Sequence, residues 1–236
     1  MKLLTRELSE IKFIDFHTHK KIFQPKTLSL ISVELTDLES LALDNLDHKF
    51  FSVGFHPWRL PANTDRLGSD LKTLRKTLEL SKVIAIGEVG LDRFRGPAPI
   101  VQKTYFAEII KLAEELKKPM IVHCVRYYPE LLAVKKHCAP DLKILVHGYN
   151  GKVEILEQLF KHGFYVSFGS LSLKRDEICE FIRQKPQYLN RICLETDDSG
   201  INIEEIYERA AKVLKMDIDE LEQIMKTNFI SLFRDS

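Results

Sequence analysis

Short, nearly continuous apolar runs rich in β-branched residues alternate along this chain with longer stretches in which apolar residues recur at helical spacing. The runs are IKFIDF, LSLISVEL, FFSVGF, KVIAIG, PMIVHC, KILVHG, FYVSFG and RICLET. Their lack of strict alternation predicts strands buried on both faces, as in a parallel sheet. Between them the spacing predicts crossover helices over 71–80, 101–116, 128–137, 152–162 and 175–184. Two more helices, over 202–214 and 219–233, close the chain, with Asp217 or Asp219 capping the last. Eight strands alternating with helices predict an α/β chain of the (β/α)8 TIM-barrel type. The KKIFQPKT segment between the first two runs is too short for a regular helix, so the first crossover is expected to be shortened and irregular. LDRFRGPAP is the strongest loop signal. It reads either as a lid over the strand ends or as a plain connection whose Pro97 and Pro99 start the next helix.

Composition narrows the picture. A chain of 236 residues, 44% hydrophobic, suits a single such domain over residues 1–236. With 35 basic against 34 acidic residues, the formal charge of +1 gives no global electrostatic case for nucleic-acid or membrane binding, so an anionic substrate would have to be held locally. Cys124, Cys138, Cys179 and Cys193 lack CxxC spacing and are expected to be reduced, buried thiols. The N-terminal MKLLTRELSE has no apolar stretch of signal-peptide length, and no run approaches membrane-spanning length. The expectation is a soluble, cytoplasmic protein with no membrane partner, taken as a monomer although the sequence does not fix its oligomeric state.

The candidate chemistry lies at the ends of the strand-like runs. His17 and His19 form a His-x-His pair whose period of two puts both side chains on one face. Glu88 follows KVIAIG in IGEVGLD, a strand expected to run into a glycine turn, where a buried carboxylate needs a compensating charge. His123 and His147 follow PMIV and KILV in near-identical contexts, and Asp197 follows RICLET with Glu195 two residues before it and Asp198 beside it. Acids crowded this closely call for a cation or a raised pKa. In a barrel the C-terminal strand ends share one mouth, so His17, His19, Glu88, His123, His147 and Asp197 are candidate ligands for one or two divalent cations. Any one of them alone would more often be a structural or surface residue; their recurrence at equivalent positions argues for metal. Asp197 is best placed to bind or deprotonate a nucleophilic water, supported by Glu195. Asp92 is expected to orient a ligand or fix its loop. His56, in VGFHPW, reads as a substrate contact beside Trp58, with packing as the alternative. His48, His137 and His162 carry no expected role.

The set HTH, GEVGLD, IVHC, VHGYNG and LETD, in this order and spacing, with TNFISLF near the end, resembles the TatD-like metal-dependent deoxyribonucleases of the amidohydrolase superfamily, and the likeness spans Ile11 to Phe233. The resemblance implies a metallo-dependent hydrolase barrel with a two-metal site: His17, His19 and Asp197 on one cation, His123 and His147 on the other, and Glu88, also counted among the catalytic residues, bridging them. Zinc, manganese or magnesium would serve. It further implies DNA or another nucleic acid as substrate, cut as by a 3′ exonuclease, with His56, Trp58, Arg126 and Tyr149 as candidate substrate contacts. The chain departs from the family where Val125 and Arg126 stand in place of an arginine two residues after His123, where Asp198, Ser199 and Gly200 replace a small residue, proline and an aromatic, and in its short first crossover. An ester or amide hydrolase, including D-aminoacyl-tRNA deacylation, is the alternative with the same ligands, although a glutamate at position 88 favours the nuclease branch. A non-catalytic metal-binding scaffold ranks last, because it predicts the loss of a ligand and none is lost.

Overall fold

In the computed structural model, residues 8, 10–20, 24–40, 48–137 and 141–234 are described. Cys138, Lys21 to Phe23 of the expected first crossover, and most of the N-terminal MKLLTRELSE lie outside them. Among the described residues, eight strands form one sheet in sequence order: β1 (Phe13–Thr18), β2 (Thr27–Glu34), β3 (Lys49–Gly54), β4 (Val83–Asp92), β5 (Met120–Val125), β6 (Ile144–Val146), β7 (Tyr165–Phe168) and β8 (Ile192–Leu194). The β1–β2, β3–β4, β4–β5, β5–β6 and β7–β8 pairs are parallel. A parallel bridge between Thr18 and Asp197 ties the end of β1 to the residues after β8. The helices are α1 (Leu67–Thr77), α2 (Pro99–Leu116), α3 (Tyr128–His137), α4 (Val153–Lys161), α5 (Asp176–Gln184), α6 (Ile203–Leu214) and α7 (Ile218–Phe233). No helix among the described residues is long and apolar enough to cross a membrane.

The chain divides into two compact units, one of residues up to Ile31, Asp47–Lys49 and His147–Arg234, the other of Ser32–Leu46 and Phe50–Val146. In the first, β1, buried along its whole length, is covered by α6 and α7. Phe16 meets Phe229 edge-on at 5.8 Å between ring centroids, Phe229 lies 4.8 Å from Phe233, and Phe13 packs 5.0 Å from Tyr207. The Tyr207 hydroxyl both accepts from the Ile14 N–H and donates to the Ile14 carbonyl oxygen, so its burial leaves no polar group unmet. Asn228 explains part of the TNFISLF signal: its buried amide donates to the carbonyl oxygens of Leu189 and Ile192, fixing the approach to β8. Asp217 caps α7 by accepting from the Asp219 N–H.

The second unit contains β4 to β6 with α1, α2 and α3. β4 is longer than the sequence suggests. All ten of its residues are buried, and it continues through Gly90 to Asp92 where a glycine turn was expected. Gly90 pairs with His123 and has φ +146°, and a Cβ there would lie 1.9 Å from the His123 carbonyl oxygen. The glycine is therefore a place where two strands touch, not a stop signal. Helix α1 starts four residues before the expected Leu71, which lets Asp70 accept from the buried Tyr105 hydroxyl at 2.8 Å. Pro99 opens α2, so the plain-connection reading of LDRFRGPAP describes the observed backbone. The 3₁₀ turns at Leu35–Ser40, Ser172–Lys174 and Pro186–Arg191 were not anticipated, being too short to show periodicity.

Candidate metal centre

In the first unit, His17 is fully buried and His19 is partly exposed, both at the end of β1. Their Nε2 atoms lie 3.6 and 3.5 Å from the same Asp197 carboxylate oxygen. The backbone sets this arrangement. Asp197 N–H donates to the His17 carbonyl oxygen, His19 N–H donates to that of Asp197, and Asp197 takes φ +50°, a region that Asp and Asn tolerate better than most residues. The His147 ring sits 4.2 Å from that of His17, and His17, His147 and Asp197 can each present a ligand atom within 4.8 Å of the others. Behind them, Glu195 accepts from Ser167 and lies 3.8 Å from His147 Nδ1, while Asp198 is exposed. Asp15 accepts from both the N–H and the hydroxyl of Thr196. Burial, reinforced by the nearby Glu195 charge, raises its pKa to about 7 against those two hydrogen bonds. Tyr149 is buried, and its hydroxyl donates to the Lys152 carbonyl oxygen at 2.6 Å.

The second unit carries a matching group. One oxygen of the buried Glu88 lies 2.9 Å from His56 Nε2 and 3.0 Å from His123 Nδ1, and the three residues can offer ligand atoms within 4.8 Å of one another. The other nitrogen of His123 is 3.1 Å from Asp92 Oδ2, which also accepts from the Trp58 indole at 2.7 Å. Asp92 Oδ1 accepts from the N–H groups of Phe94 and Arg95. Burial resists ionisation of Asp92, but the bonds from Phe94, Trp58 and His123 outweigh it and hold the carboxyl below its ordinary pKa. An ionised Asp92 fixes the proton on His123 Nε2 and turns Nδ1 toward Glu88, the carboxylate–histidine arrangement found behind metal ligands. Arg126 is exposed just past β5 with φ +63°.

Imidazole nitrogens mixed with carboxylate oxygens suit divalent zinc or manganese, and a cation would compensate the buried charge of Glu88, so both groups fit a metal. Asp92→Ala is expected to weaken divalent-cation binding by about 10- to 100-fold, measured by calorimetric titration of metal-stripped protein. Unchanged affinity would remove Asp92 from the positioning of His123.

Two residues near the second group were not singled out from sequence. Glu34, at the end of β2, accepts from the His56 N–H at 3.1 Å, and burial raises its pKa to about 7 against that bond. Its place at a strand end was the signal that could have found it. Gln102, buried in α2, binds the loop after β4 and left no mark in the sequence pattern.

The family model described as TatD related DNase matches residues 14–234. The chain belongs to the TatD related DNase family. An uncharacterized metal-dependent hydrolase of Methanocaldococcus jannaschii is 24% identical over 96% of this chain and 99% of its own length. Deoxyribonuclease Tat-D of Schizosaccharomyces pombe is 36% identical over a shorter match, 49% of this chain and 38% of that protein. The crystal structure of the TatD homolog YjjV from Escherichia coli superposes with a TM-score of 0.78 at 22% identity, covering 95% of this chain and 98% of that one. This TatD-family chain thus has the (β/α)8 barrel fold expected of it, and it is a metal-dependent hydrolase.

Proposed function

We propose that the chain is a nuclease that hydrolyses phosphodiester bonds at the ends of DNA, releasing nucleotides from the 3′ side, with two divalent cations at the ends of its strands. The observation that carries this is the pair of histidine–carboxylate groups, His17, His147 and Asp197 in one unit and His56, Glu88 and His123 in the other. By the family likeness, His17, His19, Glu88, His123, His147 and Asp197 are the residues that would hold the cations. Bound there, divalent cations would lower the pKa of a water to about 7 and would neutralise charge on the oxygens of an in-line displacement. Asp197 orients that water and takes its proton, Glu195 supports the site from β8, and His56 steers the Glu88 carboxylate. Trp58 and Arg126 face substrate; Tyr149, buried with its hydroxyl on Lys152, is assigned to the turn after β6.

Residues 1–236 are read as one hydrolase domain acting as a monomer. The buried free thiols of Cys124, Cys179 and Cys193 favour the cytoplasm as its compartment. The deciding experiment incubates an end-labelled single-stranded oligonucleotide with metal-stripped protein resupplied in turn with magnesium, manganese and zinc. A ladder that shortens from the 3′ end only when metal is present is the expected result and also reports the preferred cation. Stoichiometric metal binding without cleavage would move the substrate to esters or amides.

A further inference from the structure

The loop after β4 is held more firmly than its Gly and Pro content suggests. Gln102 accepts the Asp92 N–H at 2.8 Å, and its amide donates to the carbonyl oxygens of Asp92 (3.0 Å), Arg95 (2.9 Å) and Pro97 (3.0 Å). The Asp92 carboxylate fastens the next turn through Phe94 and Arg95. Gly96 takes φ +88°, and a Cβ there would come within 2.3 Å of the Pro57 carbonyl oxygen, so the loop lies directly against the segment after β3. Residues 56–59 and 92–100 therefore form one braced rim. A rim so constrained could have turned its apolar side chains inward, but it presents them to solvent: Phe94 is 72% exposed and Trp58 44%. The Arg95 guanidinium lies 4.4 Å from the Trp58 ring, and the Trp58 indole donates to Asp92, which in turn touches His123. An aromatic and cationic surface is thus one residue removed from a candidate metal ligand.

We propose that this rim is a stacking site for unpaired bases at a single-stranded nucleic-acid end, with Phe94 as the stacking face and the Arg95 guanidinium over Trp58 as the adjoining cationic plane. The inference rests on the reading of nucleic acid as substrate and adds the residues that select the unpaired form. Every base offers a π face, so stacking on Phe94 tolerates any sequence. A base inside a duplex has both faces covered by its neighbours and cannot use it. Arg95, planar and permanently charged, stacks and attracts phosphate together, and exposed Arg93 adds positive charge beside it. The Gln102 bracing means that little conformational freedom is lost when the strand docks. It also sets this rim apart from a lid, which would need a loop free to move.

The test measures filter binding of a labelled single strand and of the corresponding blunt duplex to the full chain carrying Asp197→Asn and supplied with manganese, so that substrate is not consumed. The parent is expected to prefer the single strand. Adding Phe94→Ala should weaken single-strand binding about 10-fold, leave duplex binding within about 2-fold, and so erase the preference. Phe94→Tyr, which keeps the ring, should restore it. Equal weakening of both ligands, no weakening of either, or no preference in the parent would overturn the proposal. If binding follows this pattern but the chain with Asp197 intact cuts no oligonucleotide with any cation, the stacking site stands and the nuclease reading falls.

Discussion

Asp197→Asn is expected to lower oligonucleotide hydrolysis by about 10²- to 10⁴-fold, the usual worth of a positioned proton acceptor, while the melting temperature stays within about 2 °C of the parent. The two halves of this expectation come from different atoms. Function is assigned to the side chain, whose Oδ1 stands between His17 and His19. The fold uses the backbone of residue 197, which exchanges hydrogen bonds with His17 and His19 at φ +50°. Asparagine tolerates that left-handed conformation as well as aspartate does, and it is nearly isosteric, so the β1–β8 junction should survive intact. The amide cannot accept a proton as a carboxylate does and is a poorer cation ligand. Retained activity would take the water-activating role away from Asp197. Lost activity together with a large fall in melting temperature would show the side chain to be structural.

Phe229→Ala should be the most damaging change away from the centre. Its ring is fully buried between Phe16 of β1 and Phe233 of α7. Removing a buried phenylalanine side chain costs about 3–5 kcal/mol, since the cavity left behind collapses only in part. For a chain of this size that corresponds to a fall in melting temperature on the order of 10 °C, measured by calorimetry or by circular dichroism. The alternating direction of a strand puts Phe16 on the helix-facing side of β1 and its neighbour His17 on the other. The variant should therefore also lose cation affinity as β1 loosens. A drop of less than about 1 kcal/mol would mean that other contacts hold β1 against α7.

The strands, most helices and the candidate ligands were legible because each depends on local pattern. Apolar runs mark buried strands, helical spacing fixed α3 at Tyr128–His137, and ligands at strand ends share one context. What local pattern does not contain is contact between distant segments. Gly90 reads as a turn until His123 is seen against it, and Asp70 belongs to α1 because Tyr105 reaches it from α2. His56 illustrates the same limit within the centre. At the end of a strand-like run beside Trp58 it reads as a substrate contact, and the fold also sets it 2.9 Å from Glu88, among groups able to hold a cation. Tyr149 also looked available from sequence, and it is buried with its hydroxyl donating to the Lys152 carbonyl oxygen. Which way a loop side chain faces is set by such partners, and for His56 that partner, Glu88, lies far along the chain.

Trp58 is the chain's single tryptophan, and it is joined by hydrogen bond to the carboxylate that contacts His123 and is overlaid by Arg95. Indole emission responds to both its hydrogen-bonded carboxylate and a cation on its face. With no second tryptophan to dilute the signal, intrinsic fluorescence of the unlabelled protein reports from one place only. Titrating a cation or a strand into the native chain should change the intensity or colour of that emission, so the chain carries its own optical readout of how this rim is occupied.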